Sequence, residues 1–465
     1  MTETKVAQRS TGFIAQHELW DDEQRDDQHG IVRGKTLTVP EFFHVLEEGK
    51  DFQFVTSIFD TTNHPIVPPF GAGNFAGVPE LDGLPDGILV PDPLTFRVVP
   101  WVEKTGWILS DAYFSSGREH PFSTRGVLRR QLDELRAAGY DLVAGLEIEF
   151  YILRLEDPML RPEDCGYPPE APKVTALQHG FQYLTESRGD EIDDLLSLLR
   201  DHLLALGLPL ATIEDEWGPG QIEFTFAPDD GLRAADSALL FRNAVKQICR
   251  RHGYHATFMA QLALPNFFGT GWHIHQSLSE ADRGGNAFCG EGGQRISQTA
   301  AQWIGGLLEH ALPGCVFTTP TITGYKRYRP DSFAPDHVTW AVENRAAMLR
   351  VIGNPGSPST HVENRVGDPA ANPYLFLASQ VASGLDGIRR NLDPGTPAEE
   401  PYLAQAARLP ASLMDAVREL EEDTFFAQAF GATFVDYLIQ LKKFEIGRFL
   451  QHVTDWEHRE YFEMY

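Results

Sequence analysis

The stretch Gly145–Leu153, GLEIEFYIL, sets two glutamates into an apolar run. Leu146, Ile148, Phe150 and Ile152 fall at every second position, the period of a β-strand whose side chains alternate between faces. Glu147 and Glu149 then share the other face, roughly 7 Å apart along the strand. Like charges that close repel unless water solvates them or something cationic lies between them. Basic side chains opposite would serve, and so would metal ions; one strand does not decide.

The pattern recurs. In GQIEFTF (Gly220–Phe226), Ile222, Phe224 and Phe226 alternate with Gln221, Glu223 and Thr225, and Glu216 stands upstream across the turn WGPG. In GWHIHQSL (Gly271–Leu278), His273, His275 and Ser277 share one face and Trp272 and Ile274 the other. A sheet can gather three such polar faces onto one surface. Carboxylates with one or two histidines and no cysteine suit Mg²⁺ or Mn²⁺, and open sites of that kind usually handle phosphate. Phosphate calls for arginines. Lys326, Arg327, Arg329, Arg345, Arg350 and Arg365 lie within residues 326–365, phrased as GYKRYRP, ENRAAMLRV and HVENRVGDPAANPYL. Taken singly, each could be a solvated ion pair worth less than about 1 kcal/mol.

Composition bounds the possibilities. The 465 residues, 42% of them apolar, allow one to three domains with a sizeable core. Thirty-nine basic against 66 acidic residues give a net charge of −27, which argues against nucleic acid or an anionic membrane as a partner. A negatively charged substrate stays open, because a metal or local arginines can invert the potential inside a cleft. No apolar run is long enough to span a bilayer, and the start MTETKVAQRS reads as neither signal nor transit peptide. Cys165, Cys249, Cys289 and Cys315 are scattered without CxxC spacing, so a reduced, cytoplasmic protein is expected.

Along the chain, residues 1–30, with the run DDEQRDD, read as a polar tail or short helix. Residues 31–118 are strand-like and broken by Pro and Gly, with one amphipathic helix near VPEFFHVLEEG. From 119 to 465 helices and strands alternate. The first helix carries Leu128, Leu132 and Leu135, with Ser123 or Thr124 as cap and Gly139 as stop. Further helices are expected near 191–206, 233–252, 297–311, 372–390, 410–421 and 430–451. Strands are expected near 143–154, 221–227, 255–263, 272–279, 338–342 and 347–352. The stretch GGNAFCGEGG reads as a turn, since it lacks the spacing of a phosphate loop.

Together GLEIEF, EWGPGQIE, GWHIHQSL, GYKRYRP, ENRAAMLRV and VENRVGDPAANPYL, in this order, resemble the glutamine synthetase family over nearly the whole chain after the tail. The resemblance implies an α+β fold with an N-terminal β-grasp-like domain and a catalytic domain built on a curved antiparallel sheet. It also implies a ring-shaped homo-oligomer with active sites between subunits. By the same resemblance, Glu149, Glu216 and Glu223 hold a first metal and Glu147, His273 and Glu363 a second. His275 and Ser277 contact ATP, Arg345 and Arg350 the phosphates, and Arg327, Arg365 and Gly269 the substrate L-glutamate. The implied chemistry is phosphorylation of the glutamate γ-carboxylate by ATP, followed by attack of an amine to give a γ-amide.

The sequence departs from the family at the amine site. Ammonia-using members carry Glu where Phe333 stands, and an Asp of a neighbouring subunit near the place of Gly71. Phe268 replaces the usual Asn before Gly269. Asp331 and Asp336 are acids that could stand in. An alkylamine with a pKa near 10.4 needs about 4.6 kcal/mol to free its lone pair at pH 7, at 1.36 per unit over about 3.4 units. An arylamine is already neutral and can stack on an apolar flap. The expected reaction is therefore γ-glutamylation of an organic amine, an arylamine such as aniline first, with small alkylamines, polyamines and ammonia as alternatives. A catalytically silent member of the fold, or a metal-dependent hydrolase that needs no nucleotide, are the readings from other classes.

Overall fold

The computed structural model describes residues 20–68, 77–157, 159–329 and 332–465. Gly71, Asp331 and residues 1–19 of the expected tail lie outside the described residues.

The N-terminal part is a six-stranded sheet. Its strands are β1 (Trp20–Asp26), β2 (Val32–Leu37), β3 (Lys50–Gln53), β4 (Asp86–Pro91), β5 (Arg97–Val98) and β6 (Thr105–Tyr113). They are ordered β2-β1-β6-β4-β3, with β5 added to β6. The helix Val39–Glu48 drops Phe42 and Val45 onto Leu37 and Ile108 in a small apolar cluster. Residues 20–26 correct the expectation of a tail. Polar composition suggested a solvated segment, yet the backbone is paired on both sides, antiparallel to β2 and parallel to β6.

The second sheet has nine strands. These are β7 (Tyr140–Leu155), β8 (Val174–Ala176), β9 (Leu210–Asp215), β10 (Gln221–Asp230), β11 (Tyr254–Thr257), β12 (Trp272–Glu280), β13 (Trp340–Val342), β14 (Leu349–Ile352) and β15 (His361–Gly367). Its order is β13-β14-β15-β12-β7-β10-β9, with β8 and β11 paired to β7. All its pairings are antiparallel except β13–β14, which run parallel, so the expected antiparallel sheet is mixed at that edge.

The alternation in the sequence is realised on this sheet. Leu146, Ile148, Phe150, Ile222, Phe224, Trp272 and Ile274 are buried on one face, each such side chain contributing roughly 1.5–3 kcal/mol. They pack against the helices Gly231–Arg251 and Pro373–Arg390: Phe150 meets Phe241 at 5.7 Å and Trp272 meets Phe376 at 5.2 Å, both edge to face. The second helix starts where Asn372 and Pro373 predict, with the Asn372 side chain accepting from the amides of Tyr374 and Leu375. Ser123 caps the helix Thr124–Ala137 in the same way.

Buried polar contacts join the two sheets. Arg125 pairs with Asp92 and Asp111 from the first part and with Asp236 from the second. Arg242 donates to the carbonyl of Gly30, and Asn372 to that of Asp27. Among the described residues no helix is long and apolar enough to cross a membrane.

Candidate active site

The face of the second sheet opposite the core carries its acids and histidines in one row. Strand register puts them there. His273 stands opposite Glu147, His275 opposite Glu363, and Arg350 opposite Glu363 from the other side. Towards the far edge Glu223 stands opposite Glu149, and Glu214 opposite Glu223. Directly opposed residues have Cβ atoms about 4.5–5.5 Å apart, so side chains from six strands meet.

At the centre, Nδ1 of His273 lies 2.7 Å from Glu147 and 3.6 Å from Glu363. His275 places Nε2 3.0 Å from Glu147 and Nδ1 3.1 Å from Nε2 of His361. Glu363 is fully buried and takes Arg350 at 3.2 Å and Arg365 as cationic partners. Among the described residues three sets of ligand atoms fall within 4.8 Å of one another: Glu147–Glu223–His273, Glu147–His275–Glu363, and Glu214–Glu216–Glu223. The partition differs from the two triads carried over from the resemblance. His275, expected at ATP, sits among the acids. Glu149 is in none of the three sets; its Oε2 accepts from Gln221 Nε2 at 2.8 Å and from the Gly271 amide at 3.0 Å.

The charges are unevenly balanced. Burial alone would raise Glu147, but His273 and His275 outweigh it and hold the carboxyl well below its usual range. Glu363 is likewise lowered, with burial opposed by His273 and Arg365. Glu223 has no such partner: burial, then Glu147, Glu149 and Glu216, push it up to about 11. Glu216 rises to about 7 through burial and Glu149. Crowded, half-buried carboxylates with an excess of negative charge and a histidine at the centre are a donor set that fits hard divalent cations.

The arginines surround this row. Arg365 donates Nε to the carbonyl of Arg345 and Nη1 to Glu363. Arg350 bridges Glu363 and Glu343. The Arg345 side chain itself is exposed. Arg327 is buried, and its two terminal nitrogens bind the carbonyls of Thr270, Gly367 and Val366. Its Nε is buried and has no hydrogen-bond partner among the described residues. Arg327 thereby props the 269–271 backbone as well as facing it. A Cβ on Gly269 would lie 2.8 Å from its Cγ, and one on Gly271 would lie 3.0 Å from His273 Nε2 and 3.3 Å from Arg327 Nη1. Ser277 continues the His273–His275 face, half-buried, opposite Val143.

On the segment that follows Arg327 and Arg329, Phe333 is 79% exposed with a left-handed backbone, φ 60°. Asp336 is buried and bonded to Nδ1 of His337 at 2.6 Å, so its carboxylate is already engaged. Sequence reasoning missed Glu214, His361 and Glu343. Glu214 had no clean signal: in LATIED both sets of alternate positions mix apolar and polar residues, and the pairing with β10 carries a register irregularity.

Comparison with known proteins agrees with the fold. Residues 121–461 match the glutamine synthetase catalytic domain, and the chain belongs to the glutamine synthetase family. It is 42% identical to a γ-glutamylanilide synthase from an Acinetobacter species, covering 97% of this chain and 99% of the relative. It is 34% identical to the γ-glutamylethanolamide synthetase GlnA4 of Streptomyces coelicolor, over 82% of this chain and 80% of that one. The solved structure of GmaS with ADP, in its first conformation, superposes with a TM-score of 0.82 at 26% identity, covering 97% of this chain and 99% of the other.

Proposed function

We propose that this enzyme is an ATP-dependent ligase that joins the γ-carboxylate of L-glutamate to an organic amine, with arylamines such as aniline as the preferred acceptors. The single observation that supports this best is the pairing of a fully populated acid, histidine and arginine row with a rim that lacks its acids. The 42% identity to a γ-glutamylanilide synthase points the same way.

In this reading Glu149, Glu216 and Glu223, and Glu147, His273 and Glu363, hold two or more Mg²⁺ or Mn²⁺ ions. Such ions supply charge neutralisation at the transferred phosphoryl group. Arg345, exposed at the rim, and Arg350 bind the ATP phosphates, and His275 and Ser277 lie on the nucleotide side. Arg365 and Arg327, with the Gly269 backbone, orient glutamate so that its γ-carboxylate meets the γ-phosphoryl group; arginines aimed at the developing charge lower that barrier. In the acyl phosphate so formed, the amine nitrogen then bonds to the acyl carbon as the acyl–oxygen bond breaks, inorganic phosphate leaves and the nitrogen gives up a proton, so that the products are the γ-amide, ADP and phosphate. Phe333 replaces a charged flap residue and contributes an apolar surface in its place.

The finer organisation belongs to the same proposal. It comprises a β-grasp-like domain over 31–118, a catalytic domain with a curved sheet over 119–465, a ring-shaped homo-oligomer with intersubunit sites, and a cytoplasmic location.

ADP release with glutamate across ammonia, alkylamines, polyamines and anilines tests the reading. The rate with aniline should be nearly flat from pH 7 to 9. With an alkylamine it should climb towards tenfold per unit, following the free base of a group with a pKa near 10.4. Phe333→Glu should cut aniline use and raise ammonia use slightly. Efficient glutamine formation from ammonia at pH 7, competitive with every organic amine, would overturn the acceptor assignment.

A further inference from the structure

Beside the acid row lies a cluster of rings that neither the metals nor the arginines account for. Phe181, Trp217 and Phe268 meet one another edge to face, with centroids 5.4 Å apart for Phe181–Phe268, 6.3 Å for Phe181–Trp217 and 6.4 Å for Trp217–Phe268. Phe181 is 59% and Trp217 45% exposed, and Phe268 is half-buried. Three large aromatic side chains gathered on a surface and left partly in water forgo burial that a purely structural cluster would take.

Their attachment points are telling. Trp217 directly follows Glu216, whose carboxylate accepts from the Trp217 amide at 3.3 Å. Phe268 directly precedes Gly269, which packs on Arg327. The ring-bearing positions therefore adjoin, along the chain, an acid of the row and the backbone assigned above to glutamate.

Each ring is also held in place. Phe181 has φ 61° and Leu184 φ 49°, left-handed values that bulky residues rarely adopt and that cost energy. The loop keeps them because its backbone is tied to the segment before β10: the Phe181 amide donates to the Trp217 carbonyl at 2.8 Å and the Leu184 amide to that of Asp215 at 3.1 Å. Gln182 adds a side-chain bond to the Glu216 carbonyl at 3.0 Å. Phe268 is clamped at both backbone groups by the Tyr151 hydroxyl, which accepts from its amide and donates to its carbonyl. Partial burial and the carboxylates of Glu216, Glu214 and Glu223 raise the neighbouring Tyr183 hydroxyl, which places this loop within the field of the acid row.

We infer that Phe181, Trp217 and Phe268 form the surface that receives the aromatic ring of the acceptor amine and sets the preference for arylamines. A fourth ring can complete the edge-to-face set on the open side, the arrangement aromatic side chains favour. Seated there, an aniline lies against the segments that carry Glu216 and Gly269, next to the residues assigned above to the metals and glutamate. This rests on the arylamine reading above and adds the residues that carry it.

The test is the ratio of kcat/KM for aniline to kcat/KM for ethylamine, measured at pH 9 with glutamate and ATP saturating. Because both values come from one preparation, a variant that folds incompletely leaves the ratio intact. Trp217→Ala, Phe268→Asn and Phe181→Ala should each lower the ratio about tenfold, and Trp217→Ala with Phe268→Asn by more than either alone. Phe181→Leu, which keeps apolar bulk without a ring, should give an intermediate loss. A wild-type preference for aniline that survives all of these within twofold would overturn the inference and leave the arylamine reading standing. Wild-type protein that uses no arylamine would remove that reading and the inference with it.

Discussion

The floor of the site and its rim were built under different constraints. On the floor, Glu147, Glu149, Glu223, His273 and Glu363 sit on adjacent strands of one sheet, their spacing fixed by register. Behind them lies a continuous buried core. At the rim, Phe181, Trp217, Phe268 and Phe333 sit on connecting segments, two of them at left-handed φ, with their rings in or near water. In the reading proposed above, the floor supplies the metal ligands, whereas Phe268 and Phe333 at the rim stand where ammonia-using members carry polar residues. The difference teaches where specificity can change cheaply. Substituting a floor acid alters the charge balance of every neighbour, while a rim residue can be exchanged without touching the register of a strand.

The largest effects should therefore come from the floor. Glu223→Ala removes a residue that, like Glu147, is shared by two of the three ligand sets, and Glu149→Ala leaves the Gly271 amide and Gln221 without that acceptor. Each should cut ADP release at saturating substrates by about 100-fold or more, with the circular dichroism of the fold unchanged. Near-wild-type turnover of either variant at ordinary Mg²⁺ would erase the contrast between floor and rim.

An intermediate effect should come from the arginines, which stand between the two. Arg365→Ala is expected to lower kcat/KM for glutamate roughly tenfold or more while the KM for ATP moves little, since a charge-assisted carboxylate contact is lost. Arg327→Ala should do the same and in addition lower stability by about 1–3 kcal/mol, because the Thr270 and Gly367 carbonyls lose the Arg327 donor while that of Val366 keeps Thr319 and Tyr328. A glutamate dependence unchanged in both would show that glutamate is held elsewhere.

The contrast also explains what the sequence made legible. Strands β7, β10 and β12 alternate cleanly because one face is core and the other is site, so periodicity exposed both fold and candidate ligands. Strand β15 was unreadable by that rule. In HVENRVG the residues from Val362 to Gly367 are all buried. Asn364 is satisfied by Gln380, and Arg365 by Glu363 and the Arg345 carbonyl. Glu363 was found by resemblance, not by pattern. Strand β1 failed for the opposite reason: WDDEQRD reads as solvated, and only pairing with its neighbour β2 and with the distant β6 makes it extended. The ring cluster at the rim has no period at all. Phe181, Trp217 and Phe268 come from three separate segments, and only the fold brings them together.

The smallest effect, and the one that sharpens the comparison most, is thermal. In the metal-free protein the floor pays for its crowding: Glu216 is raised from an ordinary 4.5 to about 7, and Glu223 to about 11. Between pH 5 and 7 the unfolded chain has released these protons while the folded protein retains them. Stability is then fully present below pH 4.5 and falls as pH rises, through Glu216 until about 7 and through Glu223 beyond. Glu147 and Glu363 act with the opposite sign. Their depressed values give stability that is present above pH 4.5 and lost only in stronger acid, outside this window. The melting temperature of protein stripped with a chelator should drop by a few degrees, about 2–4, between pH 5.5 and pH 8. Added Mg²⁺ binds the ionised carboxylates, so it should raise the melting temperature at both pH values and more at pH 8. Phe333→Glu, a rim change far exposed to water, should leave that slope as it is. A metal-free melting temperature that rises from pH 5.5 to 8 would mean that the floor carries no excess of negative charge, and the distinction between an acid floor that demands cations and a rim that selects the amine would have to be abandoned.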